Sequence, residues 1–383
     1  MSYSIQLPPH IHSGVGSINK VRDIIAEHAP WGVLVFTDAS LRALGLIDPL
    51  VQIIESTDTQ YQIVDNIVPE PSVHDVENAL AAVTDITVEM IIGIGGGSVM
   101  DTAKLASVLL GAPYTIQDLI KNPARASKRC LSLMIPTTCG TGSEATCNAI
   151  VAIPEEKTKK GIVNSQMIPD EVILDVNLIA RLPKAIIAAT GVDALAHCVE
   201  CYTSRKATPL SDVYARTGAR LIFHNLEKAY SDPSDLVARE NLLMGAFYGG
   251  VAITGSGTTA VHALSYPLGG RYHIPHGVSN AILFAQVMEF NKDACQTQLS
   301  QLCDEVYPTH HGKTQAEKAG IIISRIAEIV KNTDIPTSLQ AFGLKPEDLE
   351  DLVVAGSQQT RLLVNNMKEL SLDDIRSIYR QVI

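Results

Sequence analysis

Five residues with metal-binding side chains stand out in the second half of the chain. Asp193 and His197 lie four residues apart in a helical pattern, so both side chains share one helix face and can reach a single ion. Of eleven histidines, His262, His273 and His276 follow in a stretch rich in glycine and proline. One aspartate with three histidines makes an N₃O set suited to Fe²⁺ or Zn²⁺, and the absence of a cysteine ligand argues against a purely structural zinc site.

Each of these residues also has an ordinary structural interpretation. Asp193 and His197 alone would be a common i,i+4 helix pair, and His262 could be a core histidine hydrogen-bonded to a carbonyl group. Cys198 and Cys201 lie close to His197 in the sequence. We expect both cysteines to pack in the core, because together with one histidine they leave a tetrahedral ligand set incomplete.

A glycine run in the first half of the chain is suited to binding phosphate. Gly95, Gly96 and Gly97 follow the apolar strand pattern of residues 88–94 and precede a helix, so the N–H groups at the helix N-terminus could face an anion closely. Ser98 either caps this helix or donates to a phosphate. The run differs from the dinucleotide fingerprint in two ways: Ser98 stands where the fingerprint has glycine, and the run does not follow the first strand of the fold. A tight strand-to-helix turn without a ligand is the alternative interpretation.

Two further polar segments follow predicted strands. Asp38 ends the strand pattern of residues 33–37, where a carboxylate can accept hydrogen bonds from a ribose diol and repels a 2′-phosphate. This favours NAD over NADP, and a helix cap is the alternative. Residues 137–143 contain four hydroxyls and two glycines after the strand pattern of residues 131–135, which suits a pyrophosphate or ribose. A turn rich in serine and threonine is the alternative there.

The elements that must position these residues change in character along the chain. Short apolar strands alternate with helical patterns in the first half, which favours a mostly parallel sheet covered on both faces. From residue 185 onward apolar residues recur mostly at helical spacing. We therefore predict an α/β dinucleotide-binding domain at 1–183 and an all-helical metal-binding domain at 184–383. The predicted strands are 32–38, 61–64, 88–94, 131–135, 149–151 and 172–174.

Composition disfavours several other classes of protein. Among 383 residues, 30 Lys and Arg against 41 Asp and Glu give a net charge of −11, which disfavours binding to nucleic acid or to anionic membranes. Hydrophobic residues make up 46% and charged residues 19%, so we do not expect a disordered chain. No apolar run approaches the roughly 18 residues of a membrane span, and no signal peptide is indicated. We expect a soluble cytoplasmic protein whose seven cysteines are reduced.

Together these segments resemble the iron-containing, or group III, alcohol dehydrogenases over nearly the whole chain. The resemblance is carried by Gly95-Gly96-Gly97-Ser98-x-x-Asp101-x-Ala103-Lys104, Pro136-Thr137-Thr138-x-Gly140-Thr141-Gly142-Ser143-Glu144, Gly191-x-Asp193-Ala194-Leu195-x-His197, and His262-Ala263-Leu264 through Pro275-His276-Gly277-x-x-Asn280-Ala281. It implies an architecture like that of dehydroquinate synthase, with NAD(P) and a divalent metal in a cleft between two domains. It places the metal ligands at Asp193, His197, His262 and His276. It implies cofactor contacts at Asp38, Gly95, Gly96, Gly97, Ser98, Asp101, Thr137, Thr138, Thr141, Ser143, Asn148 and Lys160.

The chain departs from the family at one position near the expected metal. Many members carry a second histidine there, often assigned to proton relay, whereas this chain has Tyr266. The ordinary pKa of tyrosine, about 10, makes it a poor relay near neutrality unless the field of the metal lowers it. His273, or a path through the ribose and water, would then deliver the proton. The catalytic candidates are therefore His262, His276, Tyr266 and His273.

The resemblance implies hydride transfer between a nicotinamide and a small primary alcohol or aldehyde, with the metal as Lewis acid. We expect Fe²⁺, with Zn²⁺ as the alternative, and NAD rather than NADP. The segments around Tyr266 and at residues 360–366 are similar to the branch that includes 4-hydroxybutyrate dehydrogenases. Arg271 could meet an anionic group of such a substrate, but a solvent-facing arginine is the favoured interpretation. A dehydroquinate-synthase-like lyase is the rival interpretation, but the mostly apolar segment around the metal favours a small alcohol or aldehyde. A homodimer or larger homo-oligomer is expected from the resemblance alone.

Overall fold

The computed structural model describes residues 3–84, 86–156 and 158–383. The chain folds into two compact units. An α/β unit comprises Gln6–Thr138 and Gly142–Arg181. A helical unit comprises Leu182–Ile383 together with Cys139–Thr141 and the N-terminal residues as far as Ile5.

Parallel strands form the centre of the α/β unit. The strands of this unit are β1 (His10–Ser13), β2 (Gly32–Phe36), β3 (Gln60–Val64), β4 (Met90–Gly95), β5 (Leu131–Pro136), β6 (Asn148–Ile153), β7 (Thr158–Val163) and β8 (Glu171–Leu174). Six of them make one parallel sheet in the order β1-β8-β5-β4-β2-β3. Val33 and Val35 pack into an apolar cluster on one face, and Leu34 and Phe36 pack into a second cluster on the other. Burial on both faces explains why β2 is a continuous apolar run in the sequence.

Six helices and a small hairpin complete this unit. The helices are α1 (Lys20–His28), α2 (Ala39–Ala43), α3 (Asp48–Glu55), α4 (Val73–Ala81), α5 (Gly97–Leu109) and α6 (Ile116–Lys121). Strands β6 and β7 pair with each other in antiparallel register, and Ala152 of β6 also forms an isolated parallel bridge with Ser72. The strand predicted at 149–151 therefore exists as part of β6, but it lies outside the parallel sheet.

Three neighbouring strands bring the predicted nucleotide-binding segments to one edge of the sheet. Strand β4 lies between β5 and β2, and all three are parallel. Their carboxyl ends therefore meet at the same edge, where Asp38 follows β2, the glycine turn follows β4, and Thr137 follows β5. In open parallel sheets this edge is where ligands bind.

Ten helices form the helical unit. They are α7 (Lys184–Tyr202), α8 (Pro209–Ser231), α9 (Leu236–Gly255), α10 (Ala260–Tyr272), α11 (His276–Asn291), α12 (Gln296–Val306), α13 (Gln315–Asn332), α14 (Leu349–Ser357), α15 (Thr360–Leu363) and α16 (Leu372–Arg380). Helices α7, α8 and α9 pack closely against one another. Gly218 makes the close approach of α8 to α7 possible, since a Cβ at this position would lie 2.7 Å from the sulfur of Cys198. All seven cysteines are free and buried.

Helix α7 is the centre of this unit. Its 19 residues are long and apolar enough to cross a membrane by length and composition alone, but 78% of the apolar window is buried inside the protein. The same helix carries the buried polar side chains Asp193, His197 and Glu200. These features are those of a core helix.

Candidate metal centre

Four side chains of the helical unit converge on one point. Asp193 and His197 come from α7, His262 from α10, and His276 from the first residue of α11. Their ligand atoms all lie within 4.8 Å of one another. Asp193 Oδ1 is 3.5 Å from Nε2 of His262, 3.6 Å from Nε2 of His276 and 3.9 Å from Nε2 of His197. Three imidazole nitrogens and one carboxylate oxygen therefore surround a single point.

The helices explain how residues distant in sequence meet here. The i,i+4 spacing on α7 aligns Asp193 with His197, as the sequence predicts. His262 lies in the first turn of α10, a helix that contains Pro267 in its interior. Gly277 lets α11 approach α7, because a Cβ there would lie 2.7 Å from the carbonyl carbon of Ala189 and closer still to its oxygen.

Burial and mutual contact set the charge state of the cluster. Asp193, His197 and His262 are buried, and the side chain of His276 is 30% exposed. Burial alone would raise the pKa of Asp193, but His197, His276 and His262 facing its carboxylate bring that pKa below its ordinary value. Burial lowers the pKa of His197. A carboxylate and imidazole nitrogens held out of water are ligands for a divalent cation, whose charge compensates their burial.

Asn280 and Glu200 surround these four side chains. Asn280 Nδ2 donates to Asp193 Oδ1 at 2.6 Å and lies 3.2 Å from Nε2 of both His262 and His276. Its Oδ1 is buried and has no hydrogen-bond partner among the described residues. The amide thus occupies the point where the ligand atoms converge, at the cost of an unsatisfied buried oxygen. An ion bound there would satisfy the ligands in its place, so the residues present fit a metal.

Glu200 hydrogen-bonds to Nδ1 of His262, the ring nitrogen opposite the one that faces Asp193. Burial would raise the pKa of Glu200, but His262 and the donors of Thr259 and Val261 hold it below its ordinary value. Burial would lower the pKa of His262, but Glu200 and Asp193 raise it to about 9. Sequence reasoning assigned no role to Glu200 or Asn280. Their spacing was the available signal, since Glu200 follows His197 by three residues and Asn280 follows His276 by four.

The other catalytic candidates lie at different distances from this cluster. The buried ring of Tyr266 has its centroid 6.0 Å from that of His276. His273 is exposed and ends α10 in a left-handed conformation, with φ at 54°. Arg271, predicted to meet an anionic substrate, lies 3.4 Å from Asp351 and forms an ion pair with it. A carboxylate of the protein itself thus already faces this guanidinium group.

In the α/β unit, the glycine turn forms the N-terminus of α5. Gly96 is the residue before the helix, and no side chain of the described chain caps this end. Ser98 does not cap the helix; its Oγ accepts a hydrogen bond from the backbone N–H of Glu70 at 2.9 Å. Gly95 is needed for tight packing, since a Cβ there would lie 2.7 Å from the side chain of Val99. The tight-turn interpretation thus holds for Gly95, while the free helix end keeps an anion site available.

Asp38 acts as a helix cap. Its Oδ1 accepts hydrogen bonds from the N–H groups of Ser40 at 2.9 Å and Leu41 at 3.0 Å, which fixes the first turn of α2. Both of these hydrogen bonds use Oδ1, so a helix cap and a ribose contact do not exclude each other. The helix cap, which was the alternative interpretation of Asp38, is therefore present. The contact of Asp38 with a nucleotide stays a prediction.

Two predicted cofactor residues belong to a buried hydrogen-bond network. Asp101 accepts from the hydroxyl of Ser143 and, at 2.8 Å, from the N–H of Ile150. The fully buried Lys104 lies 3.0 Å from Asp101 and donates to the carbonyl oxygen of Ser143 at 2.9 Å. These contacts hold the loop after β5 in place, so Asp101 and Ser143 support this loop whether or not they touch a ligand.

The remaining predicted cofactor residues are spread over three segments. Thr137 and Thr138 follow β5, and Thr141 falls in the short segment that clusters with the helical unit. Asn148 begins β6. Lys160 lies on β7 and is paired with Glu156 at 2.6 Å, with its side chain 39% exposed. Lys160 thus needs to exchange one partner for another before it could meet a phosphate or ribose.

Comparison with known proteins adds to this geometry. The family model described as "Iron-containing alcohol dehydrogenase" matches residues 8–176, and the C-terminal model of the "Fe-containing alcohol dehydrogenase family" matches residues 187–383. Long-chain-alcohol dehydrogenase 1 of Geobacillus thermodenitrificans is 34% identical over 378 residues, which cover 98% of this chain and 95% of the relative.

Two solved structures are similar over the whole length. A crystal structure of a 1,3-propanediol oxidoreductase has a TM-score of 0.94 and 27% identity, with both chains fully covered. The sulfoacetaldehyde reductase of Bifidobacterium kashiwanohense, solved in complex with NAD⁺, has a TM-score of 0.88 and 26% identity, and 100% of this chain and 99% of that chain are covered. These relatives act on alcohols or aldehydes according to their names.

Proposed function

Because the chain belongs to the iron-containing alcohol dehydrogenase family, we propose that it interconverts a small primary alcohol and its aldehyde with NAD and a divalent metal. The family and the fold class predicted from the sequence are confirmed by these matches. The observation that carries the proposal is the convergence of Asp193, His197, His262 and His276 on one point. Fe²⁺ is the metal we propose, and Zn²⁺ is the alternative that the same N₃O set accepts.

The four converging side chains would hold the ion. Three imidazoles and one carboxylate would supply four ligands, and an ion that takes five or six would also accept a substrate oxygen. An ion there supplies Lewis acidity to the alcohol or carbonyl oxygen. Asn280 would have to turn its Nδ2 away from the ligands, because an N–H group and a cation cannot share the same point.

Tyr266 is the proton-relay candidate that lies beside this cluster. It is buried next to His276, so its hydroxyl can orient a substrate or a water molecule without being exposed to bulk solvent. His273 is exposed, and its ring can exchange protons with water directly. We therefore propose Tyr266 as the group that faces the substrate and keep His273 as the second candidate.

The nucleotide would bind at the carboxyl edge of the parallel sheet. The uncapped N-terminus of α5 suits the pyrophosphate, and Asp38 after β2 suits the adenosine ribose. A carboxylate at that position would repel a 2′-phosphate, which supports NAD over NADP. The nicotinamide accepts or donates the hydride. Cytoplasmic location and assembly into a homodimer or larger homo-oligomer stay predictions from the sequence.

The substrate we propose is small and uncharged. The segments around the metal ligands are mostly apolar, as shown by the buried Ala263, Leu264 and Leu268 of α10. Arg271, which a 4-hydroxybutyrate-like substrate would need as a free cation, is paired with Asp351. These contacts favour a simple alcohol or aldehyde over a hydroxy acid.

The proposal is tested with metal-free protein reloaded with Fe²⁺. We expect NADH oxidation with propanal and lactaldehyde to require the metal, and succinic semialdehyde to be a poorer substrate by kcat/KM. His262→Ala should lose turnover because it removes a buried ligand, and its circular dichroism should remain that of a folded protein.

A matched control is His311→Ala, which removes an exposed histidine paired with Asp304 outside the proposed site. It should retain the turnover of the unmodified protein. Full activity of His262→Ala, or full activity after the metal has been stripped, would contradict the proposed function. A preference for succinic semialdehyde would instead favour the hydroxy-acid alternative.

A further inference from the structure

Glu200 is a fully buried carboxylate at the end of the stripe that carries Asp193 and His197 on α7. The hydrogen bonds that its carboxylate oxygens accept come from the segment 259–262. Its Oε1 accepts from the N–H of Thr259 at 3.1 Å, from the hydroxyl of Thr259 at 2.7 Å and from the N–H of Val261 at 2.8 Å. Its Oε2 accepts from Nδ1 of His262. A buried charge is stable in such surroundings because both oxygens are satisfied.

The contact with His262 determines which ring nitrogen is available as a ligand. An ionised carboxylate can only accept hydrogen bonds, so Nδ1 must carry the hydrogen. The lone pair of the neutral ring is then on Nε2, the nitrogen that lies 3.5 Å from Asp193 Oδ1. The carboxylate also makes the ring a stronger electron donor toward anything that binds Nε2.

The other oxygen holds the backbone from which His262 projects. Oε1 binds N–H groups at the beginning of α10, where a helix has no internal acceptors for them. A negative charge is also favourable at this end of a helix. One side chain therefore fixes both the orientation of the His262 ring and the position of its backbone relative to α7. The ring of His197 stacks on that of His262, with 4.6 Å between centroids, and limits its rotation further.

We propose that Glu200 is the positioning residue of the metal centre, which keeps a ring hydrogen of His262 on Nδ1 and aims Nε2 at the ion. This inference rests on the proposed function, in which the four side chains bind a divalent metal. Glu200 does not touch the metal or the substrate and acts only through His262.

Glu200→Gln separates this role from simple packing, because the amide has nearly the same shape. If the amide oxygen accepts from Nδ1 of His262, the NH₂ group faces the N–H donors of Thr259 and Val261. If the amide oxygen faces those donors, the NH₂ group points at Nδ1 and places the ring hydrogen on Nε2, where it blocks the metal. Either arrangement weakens metal binding, and loss of such a partner typically costs about 10- to 100-fold in affinity.

The experiment measures Co²⁺ and Zn²⁺ dissociation constants of the full chain by competition with a chelator, together with the visible spectrum of bound Co²⁺. We expect Glu200→Gln to weaken both metals about 10- to 100-fold. The matched control is Glu171→Gln in the α/β unit, which alters another buried glutamate hydrogen-bonded to histidines, His10 and His12, outside the proposed centre. The control should leave both constants within about twofold, inside the spread usual for measurements of a single interaction.

A double-mutant cycle and a spectroscopic measurement exclude a merely structural effect. In the His262→Ala background, Glu200→Gln should cause no further loss of affinity, because Glu200 acts through the missing ring. In the Zn²⁺-loaded unmodified protein, ¹⁵N NMR should show the hydrogen of His262 on Nδ1 and the metal on Nε2. The His262 signal is identified by its absence in His262→Ala, and this measurement needs no folded Glu200 variant.

Three results would overturn the inference. They are an unchanged dissociation constant in Glu200→Gln, an equal loss with and without His262, or a His262 ring that binds Zn²⁺ through Nδ1. Failure of the unmodified protein to bind either metal would instead refute the proposed function itself. The two failures are therefore distinguishable in one set of titrations.

Discussion

Substituting Gly277 by alanine should damage the proposed metal centre without changing any of its four proposed ligands. Gly277 directly follows His276 and lies against the backbone of Ala189 on α7. The added Cβ would lie 2.7 Å from the carbonyl carbon and closer still to the oxygen, whereas real Cβ atoms essentially never come within 3.0 Å of another atom. The atoms that the new Cβ would meet belong to the backbone of Ala189, so no flexible side chain can move out of the way.

The size of the effect follows from these distances. Clearing the carbonyl carbon alone requires a shift from 2.7 to 3.0 Å between α11 and α7, and clearing the oxygen requires more. Metal–ligand distances tolerate only about 0.2 Å. Because α7 carries Asp193 and His197 while α11 carries His276, the shift separates the ligands beyond that tolerance. We expect metal affinity to fall at least about 10-fold, and overpacking to lower the free energy of unfolding by about 1–3 kcal/mol.

The assay compares Gly277→Ala with Gly312→Ala, whose added Cβ would meet no atom within 4 Å. Zn²⁺ dissociation constants, metal content after dialysis and urea unfolding curves are measured for both variants and for the unmodified protein. Gly312→Ala should match the unmodified protein in metal content. Normal metal content and turnover in Gly277→Ala would refute the argument, because the two helices would then not fix the ligand geometry.

Two further changes test the α/β unit. Asp38→Gly should raise kcat/KM for NADPH relative to NADH by removing the carboxylate that repels a 2′-phosphate, while glycine costs only a few tenths of a kcal/mol as a helix cap; an unchanged ratio would remove Asp38 from the nucleotide site. Burial raises the pKa of Glu144 from 4.5 to about 7. The contribution of its neutral carboxyl group to the free energy of unfolding is therefore complete below pH 4.5. About 3 kcal/mol of that free energy is lost as the pH rises to 7. Glu144→Gln should therefore be more stable than the unmodified protein at pH 8 and similar to it at pH 4.5 in urea unfolding, and an identical pH dependence of the two would contradict this assignment.

The parts of the fold that the sequence predicts well are those determined by burial. Strands β2, β4 and β5 were found within one or two residues, because strands covered on both faces are continuous apolar runs. The segment Thr158–Val163 was not recognised as a strand, since β7 lies in a two-stranded hairpin and carries Lys159 and Lys160. Strand β1 was also missed, and its polar residues suit its position at the edge of the sheet.

The candidate site was predictable to a similar extent. The i,i+4 spacing was enough to place Asp193 and His197 together, because helix geometry is local. The approach of α10 and α11 to α7 depends on tertiary packing, and the family resemblance supplied His262 and His276 instead. For Glu200 the only sequence signal is its spacing of three residues from His197, which is weak because a glutamate in a helix is ordinarily exposed. Its contacts with the start of α10 assign it to the site.

Asp193, His197 and Glu200 all project from the continuous buried helix α7, so their positions cannot change independently of one another. A rotation of α7 about its axis would move the proposed ligands Asp193 and His197 through the same angle. It would also move Glu200, which holds the third ligand, His262. The three side chains therefore keep or lose their alignment together when the surrounding helices move. Residues of α10 beyond its first turn carry none of the four proposed ligands, so substitutions there can leave the relative positions of Asp193 and His197 unchanged.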